Sequence, residues 1–110
     1  VIDASDALLL PRAQLTEDER KAADAMETAI EAHVHLTMQR GGTSAFHTAE
    51  NNQNVVAEVN WRLVRANWSP EWHAKMVRGQ FSDQMTCVGY QLTMRPTQEA
   101  YRAADARAKH

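Results

Sequence analysis

An α+β fold is expected for this 110-residue chain, and three observations predict it. Residues 17–40 repeat apolar side chains at helical spacing behind a helix-start signal. Residues 84–96 alternate apolar and polar side chains as a strand does. Gly41-Gly42, Pro70 and Pro96 separate the periodic stretches. The predicted architecture has an extended arm (1–15), one α+β body (16–96) and a C-terminal helix or tail (97–110). The body combines a long first helix, a second helix and a small antiparallel sheet, with helices on one sheet face.

The arm is expected to be extended because Pro11 disfavours the helical region for Leu10. It presents Leu8, Leu9 and Leu10 in a row. These leucines either close a thin core in their own chain or dock on another subunit. Thr16-x-x-Glu19 is a capping box, so the first helix starts at residue 17. On a helical wheel Ala22, Ala25, Met26, Ala29, Ile30, Ala32 and Leu36 share one face, with His33 near its middle. Gly41-Gly42 is the expected stop.

Residues 43–49 are a candidate short strand. Residues 52–68 fit strand alternation and helical spacing alike; their length favours a helix. In that helix Glu58, Arg62 and Arg65 line one face, and Val55, Val56, Val59, Leu63 and Ala66 line another. Trp61 and Trp68 add a third apolar side. A helix apolar over that much of its girth is either sandwiched in its own fold or partly covered by a partner. Residues 69–79 read as strand or short helix, and alternation favours strand. In residues 84–96, Thr86, Val88, Tyr90, Leu92 and Met94 share one face, with Cys87, Gly89, Gln91 and Thr93 on the other. Thr97 caps the last helix.

Few chemistries survive inspection. Hydrophobic residues make up 44%, but many are alanine, and mean hydropathy is −0.55. No stretch reaches the roughly 18–20 apolar residues of a membrane span, and residues 1–12 do not read as a signal peptide. The single cysteine, Cys87, forms no internal disulfide and reads as a small buried hydrophobe. His33 and His35 project about 200° apart on a helix and do not share a metal. His33 reads instead as a core-facing imidazole, a buried polar group. No metal, cofactor or catalytic constellation assembles, so no enzyme activity is expected.

Residues 1–60 carry ten acidic and four basic side chains, and residues 61–110 carry four and eight. This polarity suits front-to-back docking of protein subunits. Nucleic acid is the weaker partner, since the arginines are few and partly matched by Glu58. A small-ligand module with a pocket around His33 is a further alternative.

The first helix ending in "QRGG", the second closing with "RLVRANW", and the strands "EWHAKMV" and "TCVGYQLTM" together span residues 16–95. This pattern resembles small structural proteins of tailed-phage virions. In that resemblance Asn67-Trp68 stands where similar chains place Gly-Trp or Gly-Tyr. The resemblance implies a capsid decoration or head-to-tail component located in the virion. Without it the expected location is cytoplasmic. The expected interface residues are Leu8, Leu9, Leu10, Trp61 and Trp68, in an oligomer or larger assembly.

Overall fold

Local capping chemistry sets where most of the helices begin. In a computed structural model describing residues 1–40, 45–81 and 83–109, the Thr16 hydroxyl accepts from the Glu19 N–H at 3.1 Å. The Glu19 carboxylate accepts from the Thr16 N–H at 3.0 Å. The capping box therefore starts a long helix over Glu17–Gln39. Gly41-Gly42, the expected stop, and residues 43–44 lie outside the described residues.

The expected extended arm is instead a helix, α1, over Ala4–Ala13. The Asp3 carboxylate caps it by accepting from the Ser5 N–H at 2.8 Å, and alanine and leucine are strong helix formers. Pro11 falls in its last turn, where the missing N–H forfeits one hydrogen bond. Beyond it the chain tightens: Gln14 and Leu15 donate to the carbonyls of Pro11 and Arg12, both at 3.3 Å. The pre-proline preference of Leu10 is thus outweighed by the helix preference of its neighbours.

The elements run α1, α2 (Glu17–Gln39), β1 (Phe46–Thr48), α3 (Gln53–Arg65), β2 (Trp68–Arg78), β3 (Met85–Pro96) and α4 (Gln98–Ala108). The sheet is antiparallel in the order β1-β3-β2. Helices α2 and α3 cover one face. The core comprises Ala23, Met26 and Ile30 of α2, Val55, Val59 and Leu63 of α3, and Leu92 of β3, flanked by Phe46, Trp68, Trp72 and Met94.

The buried face of α2 is rotated from the expected one. Ala25, Ala29, Ala32 and Leu36 are exposed, while Ala23 and Val34 turn inward. Alanine burial gains only about one methylene's worth of transfer energy, ~0.8 kcal/mol. The orientation is therefore decided by Met26 and Ile30.

Helix α3 is shorter than expected. It closes where Asn67 adopts φ 67°, a left-handed geometry that asparagine tolerates. Trp68 consequently opens β2 rather than lying on the helix. The Asn67 carbonyl accepts from the Thr97 N–H at 2.9 Å, tying the start of β2 to the cap of α4.

The face of β3 also changes partway along. Lys75 pairs with Gly89 and Met76 with Cys87, which leaves Val88 as a bulge. Tyr90, Leu92 and Met94 keep the helix-facing side, but past the bulge Cys87 takes the place expected for Thr86 and Val88. Gly89, at φ +150°, lies so close to β1 that an added Cβ would stand 2.1 Å from the Thr48 carbonyl oxygen.

Two substitutions test these backbone constraints. Gly89→Ala is expected to cost at least about 3 kcal/mol, because it combines a strained φ with a clash against backbone. Asn67→Val is expected to cost about 1–2 kcal/mol and Asn67→Gly little. Urea midpoints at unchanged m-value are the measurement.

Candidate docking surfaces

One buried carboxylate organises the helical layer. Glu58 of α3 is only 3% exposed. Arg12 of α1 donates to it through Nε, 3.0 Å from Oε1 and 2.8 Å from Oε2. Arg62, one turn along α3, donates to Oε1 at 3.1 Å. The Arg62 guanidinium also reaches Asp24 at 2.7 Å and Glu27 at 2.8 Å on α2. Three helices are therefore joined through one charge network.

Burial by itself would push the Glu58 carboxyl up. The hydrogen bonds and charges of Arg12 and Arg62 outweigh it and hold the group below its usual range. Burial likewise works against the Arg62 charge, but its three carboxylate partners raise its pKa above the ordinary value. Glu19 is lowered by the Thr16 N–H and by the Asn54 and Asn52 side-chain amides. Those amides donate to Glu19 at 3.1 and 3.0 Å, linking the starts of α2 and α3.

Trp61 lies beside this network, half-buried. The Arg12 guanidinium sits 3.7 Å from its ring centre and Arg65 at 4.6 Å, both as cation–π contacts. A cleft of about 120 Å³ opens there between α1 and α3, lined by Leu8, Pro11, Leu15, Ala57 and Trp61 among others. Leu8, Leu9 and Leu10 are 68%, 45% and 49% exposed, and α1 buries no residue. The leucines thus do not close the core of their own chain. Trp68, expected with them at an interface, is half-buried and packs against the core.

His33 is half-buried and meets Phe46 edge-on, with ring centres 5.7 Å apart. The cleft between them and Trp68 has room for only about 40 Å³, far short of the roughly 300 Å³ of a small-molecule site. A wider cleft, about 620 Å³ beside Ser69, Glu71, Thr93 and Arg95, is an open trough on the sheet. Cys87 is half-buried, and its thiol donates to the Gly89 carbonyl at 3.3 Å. Among the described residues no group of three histidine, cysteine or acidic side chains converges to hold a metal ion. No helix among them is long and apolar enough to cross a membrane.

Two exposed apolar regions were not anticipated. Met76, Val77, Phe81, Met85 and Val88 are all exposed on the outer half of the β2–β3 hairpin, Phe81 at 96%. Apolar residues at both strand parities, Met76 beside Val77, were the available signal. Tyr101 is exposed on α4. The chain is correspondingly elongated: its radius of gyration is 16.7 Å, against about 13 Å for a compact chain of this length.

Replacing Glu58 by alanine is expected to cost about 2 kcal/mol, less than the ~3–5 kcal/mol of breaking a fully buried pair, because the partly exposed Arg12 regains water. Trp61 fluorescence should change with it as Arg12 leaves the ring. The pH dependence has a definite sign. A lowered folded pKa contributes stability that is fully present above the unfolded value, about 4.3, and is lost as pH falls through the folded value. Denaturant midpoints followed through the acid range should fall less steeply for Glu58→Ala than for the native chain.

Comparison with protein-family models, with curated proteins and with solved structures found no match.

Proposed function

We propose that this chain is a non-enzymatic assembly protein that docks on other protein subunits, copies of itself foremost, as a virion component such as a capsid decoration or head-to-tail protein would. The observation that carries the reading is uncovered apolar surface on elements projecting from a small core. Leu8, Leu9 and Leu10 stand out on α1, and Met76, Val77, Phe81, Met85 and Val88 on the hairpin. Isolated exposed leucines are ordinary. Three in succession on a helix that buries none of its own residues are not, and patches of this kind mark interaction sites.

Charge distribution supports an oriented contact. The acidic first sixty residues include α1 and α2, and the basic remainder includes the hairpin and α4. Complementary charge steers encounter and selects orientation more than it adds affinity. Nucleic acid has less support as a partner. Arg12 and Arg62 are engaged by carboxylates and Arg65 lies against Trp61.

Sedimentation velocity over a wide concentration range tests the proposal. The native chain is expected to self-associate, and Leu8→Ser/Leu9→Ser/Leu10→Ser to weaken association while keeping its fold, because Arg12 remains on Glu58. Deleting residues 1–14 should act more strongly. A native chain that stays monomeric at its highest soluble concentration, indifferent to both changes, would overturn self-docking.

A further inference from the structure

We infer that the outer edge of β2 is a pairing surface for the β2 strand of a second copy, joined antiparallel about a twofold axis into one six-stranded sheet. This deepens the assembly reading and rests on it. Among the described residues β2 is the terminal strand of the sheet and eleven residues long, so an edge of about 36 Å carries backbone groups that none of them pairs.

The ladder on the inner side identifies which groups are free. The Gly79 N–H donates to the Gln84 carbonyl at 3.2 Å, and the Asn67 carbonyl accepts from Thr97 at 2.9 Å. These odd-numbered residues bracket β2 and turn their backbone toward β3. Alternation then turns Ser69, Glu71, His73 and Lys75 the same way, and Trp68, Pro70, Trp72, Ala74 and Met76 outward. Pro70 fits this assignment, because its lacking N–H costs the inner ladder nothing.

Side-chain faces select the register. Trp72 turns to the helices, where its Nε1–H donates to the Asn60 Oδ1 at 3.0 Å. Glu71, His73 and Lys75 therefore lie on the bare face of the sheet. Centring the twofold on His73 sets Glu71 of each copy opposite Lys75 of the other. Centring it on Trp72 sets Ser69 opposite Lys75, and centring it on Ala74 sets His73 opposite Lys75. Centring on Trp72 also sets Glu71 opposite His73, which carries charge only when protonated. Only the first register therefore sets a lysine opposite a carboxylate on both sides of the axis, which stabilises cross-strand pairs. In it Trp72 and Ala74 exchange bonds in both directions and Met76 donates to Pro70, about six bonds in all. Lys75 and Pro70 usually guard an edge against pairing. Here the lysine meets a carboxylate and the proline gives up one donor per copy.

The helical layer continues the same surface. Asn60 points to β2 while Arg62, on the other flank of α3, points to α2. The β2-side flank therefore carries Gln53, Asn60 and Val64, without a charge. Val64 is exposed on it. Two such flanks would face each other across the axis.

The test uses the full chain and its sedimentation equilibrium. A native dimer is expected, weakened at least about tenfold by Lys75→Glu, which opposes like charges twice. The double change Glu71→Lys/Lys75→Glu should restore it, an outcome that no loss of folding can imitate. Val64→Arg should also weaken the dimer. In a Cys87→Ser background His73→Cys should form an interchain disulfide under mild oxidation. A non-hydrogen-bonded antiparallel pair brings the two Cα atoms to about 4.5 Å, within disulfide reach, and Glu71→Cys alone should not cross-link. Association that survives Lys75→Glu and Val64→Arg and gives no cross-link at residue 73 would overturn β2 pairing, while leaving docking through α1 intact. A native chain monomeric throughout would overturn both.

Discussion

The buried carboxylate of Glu58 is the constraint on which the helical layer depends. A charge that is 3% exposed must be paired or it destabilises the fold. Both its partners come with structural consequences. Arg62 carries the connection on to Asp24 and Glu27, so the crossing of α2 over α3 is held by charge at its rim as well as by Met26 and Ile30 beneath. Arg12 comes from 46 residues away in sequence. It is the chief polar anchor of a helix that buries nothing of its own. Replacing the network by apolar side chains could leave stability unchanged, but α1 would then lose what orients it on the body.

That arrangement separates fixing α1 from covering it. The Arg12 end is held against Glu58 and Trp61, while the leucines before it stay about half exposed or more. A terminal helix that served only to close the core would turn its leucines inward and its arginine outward. Here the geometry is the reverse.

The parts of the fold legible in the sequence are those decided within a few residues. The Thr16–Glu19 capping box and the run of β3 are local, and their elements start or run where local chemistry says. The Asn67 turn, by contrast, is masked by helical spacing through residue 68, and the Val88 bulge by the alternation around it. The errors have a common origin in competition between local and distant terms. Pro11 has a local rule that argues for extension, but the alanines and leucines around it argue for helix. On α2, alanine occurs on both sides of the wheel and does not discriminate between them. Glu58 and Arg62 at i, i+4 look like a solvated pair from sequence, because such pairs usually are. Its burial comes from Arg12 and α1 folding back over it, a contact no local pattern encodes. The hairpin's strands are legible, but its exposed apolar patch leaves its mark only as Met76 beside Val77, a break in alternation that is equally the mark of a fully covered strand.

Magnitudes constrain how such a chain can assemble. Fully burying a leucine is worth about 1.5–3 kcal/mol, and the three on α1 are each already partly covered. Their gross contribution is therefore about 3–4 kcal/mol per copy, or roughly 6–8 kcal/mol where two copies bury them together, which is of the same size as the ~4–15 kcal/mol lost in freedom on association. A contact through α1 alone would be weak. A second contact made by the same pair of molecules changes the balance, because the first then supplies a high effective concentration for it. The distribution of exposed apolar side chains over separate projecting elements follows the same logic. A core this small cannot cover them, and the α1 leucines by themselves make a weak contact, so stable association through α1 would need a second element to engage with it.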